Sequence, residues 1–251
     1  MTKNTDSGSI IIEGVKTETA KMAIIGLTPL ILNRMSEKSK GSLLLPSGKK
    51  TAAEKQSSLK HDPLAEYQAS AYTLPDGETL LGVMSSAIKG AMMTAALDLP
   101  GAKKAQIGRL VYVYGDYTPV FGVPKLFMSV TRSADMNRTP DIRTRAIVPE
   151  WAAIVTLSYV VPLLNATSIG NLISAAGITA GIGDWRPEKG KGTYGQFSIG
   201  NVNDPRFLKI MKSGGRKAQE AALENPSFYN EDTEKMFSWY SSEVVKRGKK
   251  K

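Results

Sequence analysis

Apolar and polar positions change rhythm along the chain, and each change marks an element. Thr17, Thr19 and Lys21 alternate with Ala20, Met22 and Ile24, a period of two that predicts a strand ending near Gly26 to Pro29. A Pro75-Asp76-Gly77 turn precedes a helical pattern over Val83 to Leu97, with Met84, Ile88, Met92 and Ala95 on one stripe that reads as core. In that helix Ala87, Gly90 and Ala91 are small enough for close approach to a sheet. Leu110 to Tyr114 and Thr118 to Val123 read as two short strands around Gly115-Asp116, a tight-turn pair. Ala153 to Val161 returns to a β-type run. Asn165 or Thr167 then caps a helix with Ile169, Leu172, Ile173 and Ala176 inward, and Gly177 marks its last turn. A strand near Thr193 to Ile199 follows, and a last helix over Glu231 to Lys246 carries Met236, Phe237, Tyr240 and Val244 on its apolar side.

The order strand, helix, strand, strand, helix, strand predicts an α+β fold, a ferredoxin-like or RRM-type βαββαβ core with helices on one face and the other face open. Residues 10–205 make this core, with insertions at about 36–61 and 126–150. The first insertion is polar and lysine-rich and too long for an ordinary connection. The second reads as a thumb-like arm set into the sheet. Residues 206–251 form a C-terminal helical extension ending in a basic tail, Lys246-Arg247-Gly248-Lys249-Lys250-Lys251.

Composition narrows the chemistry. The 251 residues hold no cysteine and one histidine, which removes disulfides, thiol nucleophiles and thiolate metal sites, and leaves His-dependent triads without material. Thirty-three Lys and Arg against 23 Asp and Glu give a net charge of +10, which favours a polyanionic partner. The polar opening lacks the apolar core of a secretion signal, and no uninterrupted apolar run of about 18 residues occurs. The expectation is a cytoplasmic protein with no membrane partner.

The most informative segment is GIGDWRPEKGKGTYGQFSI. Gly181, Gly183, Gly190, Gly192 and Gly195 let the backbone approach a phosphate strand, while Arg186, Lys189 and Lys191 supply charge. This loop follows a helix and precedes a strand, whereas a nucleotide-binding loop follows a strand and opens a helix, so ATP, GTP and NAD readings fail. Trp185 reads either as a hydrophobic plug with Asp184 and Arg186 as local partners or as a platform for a base. In the arm, Arg132, Arg138, Arg143 and Arg145 stand against Asp135 and Asp141, and arginine forks match phosphate oxygens. Met136 at the arm tip is a candidate wedge between bases.

Lys49 and Lys50, with Lys55 and Lys60, make a softer basic region, and His61 reads as a surface residue without an acid or base partner. Tyr112, Tyr114 and Tyr117, or Phe121 and Phe127, are candidates for a base-accepting sheet face, with core or strand packing as the alternative. The carboxylate pairs Asp135 with Asp141 and Asp184 with Glu188 have arginines competing for them. No catalytic residue, metal ligand or cofactor is expected.

The loop GIGDWRPEKGKGTYGQFSI resembles the terminal glycine-rich loop and strand of the RAMP superfamily, especially Cas7-like subunits. The resemblance extends to the element order over about residues 15–200, and Thr139-Pro140-Asp141-Ile142-Arg143 followed by Pro149-Glu150-Trp151 is similar to bacteriophage proteins with a GxGxWRP loop. It implies that the five glycines shape a nucleic-acid-facing loop and that residues 126–150 act as a thumb. The family's glycine pattern is interrupted here by Asp184-Trp185-Arg186-Pro187. The resulting expectation is a bacteriophage single-stranded DNA-binding protein that coats strands without sequence preference, as a homo-oligomer or filament. An RNA-binding Cas7-like subunit, or a phage mimic of one, and an assembly protein without nucleic acid are the alternatives.

Overall fold

The computed structural model describes residues 14–35, 37–44, 61–132, 140–189 and 191–248. Strand β1 (Lys16–Gly26) keeps the predicted alternation: Ile24 is fully buried on one face, and Ala23 and Ile25 are buried on the other. The chain then crosses through β2 (Leu30–Ile31), α1 (Glu37–Leu44), α2 (Pro63–Ala69), β3 (Tyr72–Thr73) and β4 (Leu81–Met84). Helix α1 occupies the first part of the lysine-rich insertion, and Lys49, Lys50, Lys55 and Lys60 lie outside the described residues.

Helix α3 (Ser85–Ala95) starts two residues later than its pattern predicts, because Val83 and Met84 are held in β4 by pairing with Thr118 and Tyr117. Ile88, Met92 and Ala95 are buried as expected, each of the larger two contributing about 1.5–3 kcal/mol by leaving water. Met84, expected on the same stripe, is exposed because it ends β4 instead of entering the helix. Helix α4 (Lys104–Leu110) leads into β5 (Val111–Val113) and β6 (Tyr117–Phe121). These two do not form the expected hairpin. Both pair antiparallel with the later strand β9 (Ala152–Val161), β5 at residues 157–159 and β6 at 152–153, so they run in tandem as one interrupted strand. The ten-residue β9 offers a ladder long enough for both, and Ser85 N–H donates to Asp116 O at 2.9 Å to hold the interruption.

Between β6 and β9 the arm is a hairpin of β7 (Lys125–Arg132) and β8 (Pro140–Val148), paired in full register and completed by β2 in the order β2-β8-β7. Its tip, with Asp135, Met136 and Arg138, lies outside the described residues. Helix α5 (Ala166–Ala175) is capped by Asn165, whose side chain accepts from Ser168 N–H at 2.8 Å. The helix runs on through a wider π turn at Ala176–Ala180, so Gly177 sits inside the turn, against Phe197 O, instead of ending it. Strand β10 (Phe197–Gly200) starts later than expected because Tyr194 and Gly195 are bonded within the loop.

The main sheet has the order β10-β1-β9-β6-β4-β3, with β5 beside β6 on β9. Strands β10, β1, β9 and the β5/β6 pair thus take the 4-1-3-2 positions of a ferredoxin-like α+β fold, with α3 and α5 meeting over one face. The other face is open at one end only. At the opposite end α6 (Pro205–Ser213) covers Ala23, Ile25, Phe121 and Ala152 with Phe207 and Ile210.

Helices α7 (Arg216–Glu224) and α8 (Glu231–Gly248) dock against core and arm. Gln219, fully buried, accepts from the N–H groups of Leu80 and Leu81 and donates toward the carbonyls of Val120, Gly122 and Gly214. The buried polar ends of three segments are satisfied by this one side chain. Residues 249–251 of the tail are outside the described residues. No described helix is long and apolar enough to cross a membrane.

Candidate nucleic-acid interface

The end of β1 places the glycine-rich loop. The Trp151 indole packs on Gly26 and donates from Nε1 to Thr28 O at 2.9 Å, turning the chain into β2. The loop returns along this segment: Gly195 N–H donates to Pro29 O at 2.8 Å and Asp184 N–H to Ile31 O at 3.0 Å. Gly181, Gly183 and Gly195 all have positive φ, and a Cβ on Gly195 would run into Ile182 O, one on Gly192 into Trp185 O. These glycines fold the loop tightly onto itself and onto β2. Gly190 lies outside the described residues.

Loop and arm meet here. Arg145, on β8, has a side chain only 10% exposed and pairs with Asp184 at 2.5 Å. Burial draws its guanidinium below the usual value, Asp184 opposes that, and Arg143 adds repulsion. The same guanidinium lies 5.8 Å from the centre of the Trp185 ring. Trp185 stands edge-on to Phe127 of β7 at 6.2 Å and tilted to Tyr194 at 6.1 Å. Its surroundings are those of a plug sealing loop to arm.

Arg186 is also engaged within the chain. Its Nε donates to Glu188 Oε2 at 2.7 Å and its Nη1 to Gly183 O at 2.9 Å, while Glu188 Oε1 accepts from Thr94 on α3 at 3.0 Å. Burial works to raise the Glu188 carboxyl, but the hydrogen bonds from Arg186 and Thr94 and the charges of Arg186 and Lys189 outweigh it and hold the group below its usual range.

The remaining predicted cations are more exposed. Arg143 lies 4.0 Å from Asp141 with its side chain 56% exposed. Arg132, Lys189 and Lys191 lie at the surface of the arm and loop. Asp141 also meets His61 Nε2 at 3.0 Å, while His61 Nδ1 meets Glu66 at 2.8 Å and Tyr240 donates to His61 O at 2.7 Å. The histidine is therefore no free surface residue: it is half-buried and joins α2, the arm base and α8. Glu66 is five residues away, but Asp141 and Tyr240 are far off in sequence and leave no local signal.

The aromatic candidates divide by cover. Phe121 is buried under α6, and Phe127 under Trp185 and Tyr229. Tyr112, Tyr114 and Tyr117 are exposed, and the register of β5 and β6 on β9 puts them on the outer sheet face. Tyr112 and Tyr114 meet edge to face at 5.1 Å. Ser158 and Thr19 hydrogen-bond the Tyr114 hydroxyl, which lowers its pKa and lays the ring across β9 and β1.

Two depressions join these parts. One is lined by Tyr112, Tyr117, Lys89, Ser86 and Met84. The other, of about 480 Å³, runs between α3 and the glycine-rich loop and shares Met84 and Ser86 with the first. Lys89 and Lys104 line them without an ion-pair partner among the described residues. They were not apparent as site residues in the sequence, where α3 reads as a core helix. Ala87, Gly90 and Ala91 all line the second depression, Ala91 from the edge of the core where it is buried, so the small size of Ala87 and Gly90 opens a cavity instead of admitting the sheet.

No protein-family model and no curated protein matches this chain. Among solved structures, the crystal structure of Cmr6 from Pyrococcus furiosus is similar to it with a TM-score of 0.37 and 10% sequence identity, over 74% of this chain and 98% of that one.

Proposed function

We propose that the protein binds single-stranded nucleic acid along the path from the sheet tyrosines, past α3, to the glycine-rich loop and the arm. The observation that carries this reading is continuity: the two depressions share Met84 and Ser86, and the second ends on the loop that Arg145 ties to the arm. Aromatic faces lie at one end of this path and exposed cations along it, the pairing that sequence-tolerant binding of unstacked bases uses. Arg145 and Arg186 shape the surface, and Arg132, Arg143, Lys89, Lys104, Lys189 and Lys191 meet phosphates.

In the form we favour the strand is DNA, the protein is that of a bacteriophage, and successive copies coat the strand during replication or recombination. The net charge of +10 and the likeness of the GxGxWRP loop to phage proteins support this. The reading needs no cofactor and no bond-breaking chemistry.

Anisotropy of short labelled DNA, RNA and duplex strands across a salt series tests it. Single strands are expected to bind more tightly than duplex, with affinity falling as salt rises. Equal or absent binding to single and double strands at low salt overturns the reading, and a clear preference for RNA moves it to the Cas7-like alternative. Ordered oligomers that form and persist without nucleic acid, alongside no strand binding, would leave the assembly protein.

A further inference from the structure

We infer that the cavity between α3 and the glycine-rich loop is a pocket for one nucleobase turned out of the bound strand, an inference that rests on the single-strand reading above. At about 480 Å³ the cavity is in the range of small-ligand sites. Its floor is α3, where a Cβ on Gly90 would meet nothing within 4 Å. Glycine is the least favoured residue after proline in a helix interior, and no neighbour requires it here; its effect is to leave room. Val83 and Met84 supply apolar contact and Tyr72 an aromatic one.

The rim is polar on the loop side. Asp184 and Glu188 line the opening, Asp184 holding Arg145 through Oδ2 and Glu188 held by Arg186 and Thr94, and a carboxylate keeps acceptor positions beyond such bonds. Carboxylates accept from the exocyclic amino groups of adenine, cytosine and guanine, whereas thymine offers no such group, so the pocket favours amino-bearing bases. Lys104, also on the rim, is placed for the phosphate beside the extruded base. Trp185 does not compete for this role, since Phe127, Tyr194 and Arg145 already surround it. An unstacked base read on its edge inside a shaped pocket is a common way to hold single strands.

The test uses the full chain with a short single strand carrying one 5-fluorocytosine, followed by fluorine NMR, beside the variant Gly90→Leu. Leucine at this position adds bulk on the cavity side of α3 and favours the helix, its Cβ meeting no atom within 4 Å, and its folding is checked by urea unfolding. The expected result is a displaced resonance in the wild-type complex that is missing from Gly90→Leu at equal saturation by anisotropy, with affinity lowered less than about tenfold. Strand binding with identical spectra for both proteins overturns the pocket and leaves the single-strand reading standing. Absence of strand binding overturns both. Deoxycytidine monophosphate, titrated into the wild-type complex, is expected not to return the strand's resonance to its free position at equal nucleotide concentration; if it does, the site belongs to a free nucleotide and the pocket for an extruded base is overturned.

Discussion

The guanidinium of Arg145 and the carboxylate of Asp184 meet at 2.5 Å beside the Trp185 ring, and through this contact the arm and the glycine-rich loop become one surface. Removing one member leaves a largely buried charge without its partner. Arg145→Ala is expected to destabilise the fold by about 2–4 kcal/mol, and Asp184→Asn by somewhat less because its side chain is more exposed. Urea unfolding of the single variants and of the double variant measures this. A double variant no more stable than the sum of the singles would show that the two groups do not act as a pair.

Glycine positions separate structural need from open space. Gly195→Ala combines a left-handed φ of 69° with a clash on Ile182 O and is expected to cost about 2–3 kcal/mol or more. Gly90→Ala enters open space in a helix and is expected to raise stability by about 0.5–1 kcal/mol. Comparing the two urea midpoints checks the assignment, and a destabilised Gly90→Ala would contradict the cavity.

Stacking and charge are separable in solution. Tyr112→Ala and Tyr114→Ala are each expected to weaken single-strand binding by about 1–3 kcal/mol while leaving the salt slope in place. Arg132→Ala and Arg143→Ala are each expected to reduce that slope by about 0.7. A salt series for all four variants distinguishes these outcomes. Tyrosine variants that change only the slope would remove the outer sheet face from the path.

The clasp of Arg186, Glu188 and Thr94 responds to acid with a definite sign. The Glu188 carboxyl is held below its usual value of 4.5, so the folded state favours the ionised form. Its contribution is present above about pH 4.5 and is lost as pH falls through the lowered folded value. Glu188→Gln is therefore expected to narrow the stability difference between wild type and variant as the medium is acidified, measured by urea midpoints at neutral pH and near pH 3. A constant difference across that span would exclude the ionised clasp.

Several features follow from local pattern and are legible in the residues alone. The alternation from Thr17 to Ile24, the apolar stripe of Ile88, Met92 and Ala95, the cap at Asn165 and the position of the glycine-rich loop between helix and strand depend on periods and neighbours a few residues apart. That was enough for the ferredoxin-like order and for an arm within the sheet. What tertiary structure decided is which groups meet. Strands β5 and β6 pair with β9 and not with each other, Arg145 finds Asp184, and Ala87 and Gly90 turn to a cavity. Periodicity specifies which side of an element is apolar, but the partner of a buried charge, or the empty space beside a small residue, exists only once segments far apart in the chain have packed together.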